Sequence, residues 1–134
     1  MKRNNTHLVW FIDDDSVTNM IHEQFFIENF QHTNIRVFDK AEEAIRELKQ
    51  IIKSREISLI PTYIFLDINM PVMNGWEFLE EFHESLIFIT EQIGIAMLTS
   101  SIATEDYRKS LQYPAVTAYL TKPLDLNKIE GIIS

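Results

Sequence analysis

The chain has 134 residues, 46% hydrophobic and 24% charged, which suits one packed domain and excludes a disordered one. A formal net charge of −8 disfavours direct contact with nucleic acid or anionic membrane surfaces. The lack of cysteine excludes disulfides, thiolate metal sites and cysteine nucleophiles.

Met1, Lys2 and Arg3 open the chain with a basic pair. The apolar stretch behind them, residues 8–12, is too short for a signal peptide or a membrane span, so a cytoplasmic location is expected. That stretch is the first of five short apolar runs, and it ends in Asp13-Asp14-Asp15. Ser16 is placed to cap a helix whose inner face is expected at Val17, Met20, Ile21 and Phe25. A second run, residues 35–38, carries Arg36. Asp39 and Glu42 then have capping-box spacing ahead of a stripe of Ala41, Ala44, Ile45, Leu48 and Ile52. The third run, residues 63–66, ends in Asp67 and is followed by a turn-rich Asn69-Met70-Pro71 and Asn74-Gly75. Trp76, Leu79 and Phe82 head the next helix.

Residues 93–98 form the fourth run, ending in Thr99-Ser100. Ser101 is placed to cap a helix with a thin stripe of Ile102, Tyr107 and Leu111. The fifth run, residues 115–120, leads to Thr121-Lys122-Pro123. Asp125 caps a last helix carrying Leu126, Ile129, Ile132 and Ile133.

This alternation predicts an α/β fold: a doubly wound, five-stranded parallel sheet with right-handed crossovers in a three-layer (βα)5 sandwich. The first, third and fourth runs are almost wholly apolar and belong in the middle. The second and fifth contain polar residues and belong at the edges. That distribution fits the flavodoxin-like order 2-1-3-4-5, already familiar for doubly wound sheets.

Such sheets place their chemistry at the carboxyl ends of strands, where the order reverses. Three acids, Asp67, Thr99 and Lys122 all stand at strand ends and are brought to one rim. Two carboxylates 4 Å apart repel by roughly 4 kcal/mol at an effective dielectric of about 20, so a proton, a cation or the lysine must compensate. Oxygen donors without cysteine or histidine favour Mg²⁺. With positive charge on both sides, a carboxylate can accept a phosphoryl group, and a hydroxyl can donate to it. Each feature alone has a plainer reading: a solvated turn, a helix cap, a strand followed by a turn. Their order and matched positions give the combination its force.

The markers Ile12-Asp13-Asp14-Asp15, Leu66-Asp67-Ile68-Asn69-Met70-Pro71 with Gly75, Leu98-Thr99-Ser100 and Tyr119-Leu120-Thr121-Lys122-Pro123 resemble the receiver domain of two-component response regulators over essentially the whole chain. The resemblance implies that Asp67 is the phosphoacceptor. It makes Asp13, Asp14, Asp67 and the backbone carbonyl of Asn69 the Mg²⁺ ligands, with Lys122 and Thr99 contacting the phosphoryl group. Tyr119 is then the switch aromatic, and Asp15 is a solvated acid without a role. It also implies partners: a sensor histidine kinase or histidine phosphotransfer protein upstream, and an effector reading the fourth helix, fifth strand and last helix. No direct nucleic-acid or membrane contact is implied, and the state is a monomer or weak dimer. Apart from its own phosphorylation and dephosphorylation, no catalysis is expected. One receiver domain, residues 1–134 with a core of about 7–133 and no output domain, is expected. Tyr113-Pro114 and the long segment 49–62 depart from the common pattern.

Two alternatives compete. Asp13-Asp14-Asp15-Ser16-Val17 also resembles the nucleophile loop of haloacid-dehalogenase-like phosphatases, which would leave Asp67 unused. A binding module that keeps the fold without phosphorylation is the other.

Overall fold

Strands and helices alternate strictly through the described residues, which in this computed structural model are 7–100, 104–122 and 124–133. They are β1 (His7–Ile12), α1 (Ser16–Asn29), β2 (Thr33–Phe38), α2 (Ala41–Ser54), β3 (Tyr63–Asp67), α3 (Gly75–Ser85), β4 (Gly94–Thr99), α4 (Thr104–Ser110), β5 (Val116–Thr121) and α5 (Leu126–Glu130). Short 3-10 turns, Ile57–Leu59 and Ile87–Ile89, precede β3 and β4. The first of these lies in the long 49–62 segment. Every strand pair is parallel and the order is β2-β1-β3-β4-β5, as expected from the distribution of polar residues.

The pleat sends successive side chains to opposite faces. Trp10, Ile12, Ile64, Leu66, Ile95 and Met97 join the α2 and α3 side. Val9, Phe11, Phe65, Ala96 and Leu98 join the α1 and α5 side. On the first side α2 buries Ala41, Ala44, Ile45, Leu48 and Ile51, while α3 buries Trp76, Phe78, Leu79 and Phe82. Ile52 is partly buried and packs against the same cluster, and Ile51 adds a buried residue beside the expected α2 stripe.

The inner face of α1 differs from expectation. Val17, Met20 and Ile21 are 57%, 64% and 58% exposed and Phe25 is half-buried, whereas Asn19, His22 and Phe26 point inward. Tertiary contacts set this phase. Asn19 Nδ2 donates to the Asp13 carbonyl at 2.7 Å, Phe26 packs edge-on against Phe11 with centroids 5.2 Å apart, and the His22 ring tilts over Phe11 at 5.1 Å.

Helix starts also differ in detail. Asp15 caps α1, accepting from the Val17 N–H at 3.0 Å and the Thr18 hydroxyl at 2.9 Å; Ser16 is the first helical residue. Lys40 precedes α2 with no side-chain cap, so the Asp39 capping box does not form. Glu42 and Glu43 still favour the positive end of that helix. A reciprocal capping box does form at α3, between Asn74 and Glu77 at 2.9 Å in each direction. Asp125 caps α5 as expected. Ser101 and Ile102, expected at the start of the fourth helix, lie outside the described residues, as does Pro123.

Candidate functional site

The site forms because three adjacent parallel strands end together. Asp13 follows β1, Asp67 ends β3 and Thr99 ends β4, with β3 and β4 in register at Asp67 and Leu98. Thr99 pairs in turn with Thr121 at the end of β5. The Lys122 N–H donates to the Thr99 carbonyl at 2.8 Å, which brings the lysine to the rim.

Lys122 reaches back across the sheet. Its Nζ lies 2.6 Å from Asp13 Oδ2 and 3.2 Å from Asp67 Oδ1, and its side chain is only 19% exposed. Asp13 is held on all sides: its Oδ1 accepts from the Asp15 N–H at 2.9 Å and its N–H donates to the Phe38 carbonyl at 3.1 Å. Asn19 secures its carbonyl, as noted above. Asp14 is exposed and Asp67 is buried, at 5% exposure.

One ammonium therefore serves two buried carboxylates, and the nearer takes the larger share. Burial, then the charge of Asp13, pushes the Asp67 carboxyl up to about 6 even though Lys122 pulls the other way. Burial by itself would lower Lys122. Its hydrogen bond and charge interaction with Asp13, followed by those with Asp67, outweigh that and hold it above the ordinary lysine value. Asp67 remains mostly ionised at neutral pH but under electrostatic pressure.

Carboxylate oxygens of Asp13, Asp14 and Asp67 come within 4.8 Å of one another. The donor set is all oxygen, and the raised Asp67 marks negative charge that a single ammonium leaves uncompensated. Those residues fit a hard divalent cation. Asp15, by contrast, turns away to cap α1 and is fully solvated; the Thr18 hydroxyl and then the Val17 N–H hold it below the usual carboxylate range.

Thr99 is buried. Tyr119, two residues before Thr121 on β5, is half-buried and packs edge-on against Tyr107 of α4 at 5.7 Å. Burial and then the Asp106 carboxylate raise its phenol above the ordinary range, opposed by the Thr99 side chain. Asn69 follows β3 and is exposed.

Two further residues support the site: Asn19, which none of the sequence motifs includes, and Gly75, which one of them does. Asn19 positions Asp13 from inside α1, with no local signal beyond its type. Gly75 lets α3 start against the acceptor strand: a Cβ there would stand 2.6 Å from the Asp67 carbonyl oxygen and 3.0 Å from Ile68 Cα. Its N–H donates to the Ile68 carbonyl at 2.9 Å. The Asn-Gly pair was visible, but its reason is the close approach of two backbones.

A family model described as the response regulator receiver domain matches residues 9–134. The fold resembles that in the crystal structure of a two-component response regulator from Cytophaga hutchinsonii, with 26% identity, a TM-score of 0.84 and coverage of 95% of this chain and 94% of that one. It also resembles a response regulator receiver protein from Dyadobacter fermentans DSM 18053, with 24% identity, TM-score 0.78 and 92% of each chain. A third similar structure is the Mn²⁺-bound form of response regulator Rcp1, with 23% identity, TM-score 0.72 and 92% and 86% of the two chains. No curated protein matches the sequence significantly. Among the described residues, no helix is long and apolar enough to cross a membrane.

Proposed function

This chain belongs to the response regulator receiver domain family, the phosphoacceptor modules of two-component signalling, and we propose that Asp67 is the residue that takes the phosphoryl group. The observation that carries this reading is the position of Lys122, between Asp13 and Asp67, at the point where three carboxylates meet.

A phosphohistidine on a sensor kinase or a histidine phosphotransfer protein is the donor. A P–O bond to an Asp67 oxygen forms as the P–N bond to the donor imidazole breaks, with the two in line. Asp67 is suited to attack because it is ionised at neutral pH and poorly compensated. Asp13, Asp14, Asp67 and the Asn69 carbonyl would hold Mg²⁺, which when bound neutralises the charge of the carboxylates and the phosphoryl oxygens. Lys122 transfers part of its pairing from Asp67 to a phosphoryl oxygen, and the Thr99 hydroxyl donates to another. Lys122 keeps Asp13 as its second partner, so its ammonium is already oriented before the group arrives. The only catalysis in this account is self-directed, the gain and later loss of that one group.

The donor must cover the rim to bring its histidine to Asp67. The exposed face of α1 formed by Val17, Met20 and Ile21 begins at that rim and suits such a partner. Readout goes to the opposite side. Movement of Thr99 toward the phosphoryl group alters its neighbour Tyr119, which contacts Tyr107, so the α4, β5 and α5 surface presented to an effector changes with occupancy. Residues 1–134 act here as one receiver domain.

Incubation with acetyl phosphate and Mg²⁺, followed by intact-mass measurement, tests the proposal. One added phosphoryl group is expected on the wild-type chain and none on Asp67→Asn. An unchanged wild-type mass rejects the reading in favour of an unphosphorylated binding module.

A further inference from the structure

The site accounts for Gly75 but not for the aromatic group that follows it. Trp76 is nearly buried, at 9% exposure, and its indole is shared by two elements. The Tyr113 ring, just past α4, stacks on it at 6.2 Å and 27°, and Lys109 of α4 places its Nζ 4.9 Å from the indole centroid. Both distances are in the range of attractive aromatic and cation–π contact. Tyr113 is itself fixed to α3. Its hydroxyl donates to Glu80 Oε1 at 3.2 Å, and its ring meets His83 at 5.4 Å. The turn between α4 and Tyr113 is tight as well, since the Tyr113 N–H donates to the Ser110 carbonyl and the buried Ser110 hydroxyl donates to the Tyr107 carbonyl at 2.6 Å.

Both ends of this connection are short. On one side, Trp76 follows the glycine whose N–H bonds the Ile68 carbonyl and whose Cα face abuts the Asp67 carbonyl. On the other, the same indole carries the carboxyl-terminal end of α4. Tyr107, two residues before Lys109 in α4, contacts Tyr119 on β5 instead. The helix thus has two attachments of different kinds. One leads to the switch tyrosine, and the other leads to the backbone of the acceptor loop.

We propose that Trp76 is a positioning residue that couples the Asp67 loop to the carboxyl-terminal end of α4 through Lys109 and Tyr113. The coupling rests on the reading of Asp67 as acceptor and adds a second route from the site to the output face, independent of Tyr119. A shift of the acceptor loop on phosphorylation moves the start of α3, and the indole passes that shift to residues 108–112. Tyr113, where this chain departs from the common pattern, is the part of the clamp that makes the route particular to it.

The test uses the full chain, ¹⁵N-labelled, with Mg²⁺ and beryllofluoride as an acyl-phosphate mimic, in the wild type and in Trp76→Leu, Lys109→Ala and Tyr113→Leu. In the wild type, amide shifts are expected both around Asp67–Gly75 and at residues 108–112. In each variant the first set persists, and the second falls roughly twofold or more relative to it, because the connection has been cut while the site is intact. A purely structural role would lower the melting temperature and leave that ratio alone. If Trp76→Leu does not fold, the exposed Lys109→Ala and the half-buried Tyr113→Leu decide. A full response at residues 108–112 in Lys109→Ala and Tyr113→Leu overturns the coupling. No response anywhere in the wild type removes the acceptor reading and the coupling together, whereas binding with an undiminished distal response removes only the coupling.

Discussion

The two faces of the sheet are built differently. On the α2 and α3 side, the buried helix positions are apolar: Leu48, Ile51, Leu79 and Phe82 belong to one cluster with Ile64 and Ile95. On the α1 and α5 side, α1 turns Asn19 and His22 inward and leaves Val17, Met20 and Ile21 in solvent. The first face stabilises the fold. The second gives up apolar burial to hold Asp13 and to present an apolar surface beside the site.

Substitution on the two faces should sharpen this contrast. Leu79→Ala opens a cavity in the apolar face and is expected to cost about 3 kcal/mol, whereas Met20→Gln on the outer face of α1 should stay within about 0.5 kcal/mol, read as denaturant midpoints. Equal losses would erase the distinction. Asn19→Ala leaves the Asp13 carbonyl without its donor and is expected to cost about 2 kcal/mol. It should also slow phosphorylation by acetyl phosphate, which Leu79→Ala in its folded form should not.

Unlike apolar packing, the acidic rim makes stability depend on pH. Asp67 has its folded-state value raised from 3.8 to about 6, so between those values the folded state binds more protons than the unfolded one. In the metal-free protein its contribution therefore weakens the fold as pH rises through that window, and the full penalty is present above about 6. Asp67→Asn removes the penalty and is expected to stabilise the chain by on the order of 2 kcal/mol at pH 7.5 but little near pH 4. Urea midpoints at the two pH values check this; an equal gain at both would contradict it.

A smaller gain is expected in the acceptor loop. Val72 is 86% exposed with φ of 68°, a conformation that costs a β-branched residue of order 1 kcal/mol. Val72→Gly should recover roughly that amount with the site chemistry unchanged. A loss of stability would show that the Val72 side chain makes contacts that outweigh the strain.

Much of this was legible in the chain itself because the chemistry stands at strand ends. Asp13, Asp67, Thr99 and Lys122 needed only the alternation of strands and helices, and the polar residues in the outer runs, to be assigned to one rim. The phase of α1 was not legible. Val17, Met20, Ile21 and Phe25 make a convincing apolar stripe, and nothing local reveals that the Asp13 carbonyl will draw in Asn19 or that Phe26 will fit against Phe11. The shift of the α1 cap from Ser16 to Asp15, and the burial of Ile51 beside the expected α2 stripe, are one-residue differences that tertiary packing decides. The sequence places Trp76 only at the head of a helix, with Leu79 and Phe82. The contacts of its indole to Lys109 and Tyr113 join segments more than thirty residues apart and leave no periodic trace.

The most direct test of the central claim is to locate the modified residue. After reaction with acetyl phosphate and Mg²⁺, borohydride reduction converts an aspartyl phosphate to homoserine, which peptide mass mapping can place. Homoserine at position 67 is the predicted result. Homoserine at Asp13 or Asp14, with Asp67 intact, would contradict the account and favour the phosphatase-like use of the first acidic loop.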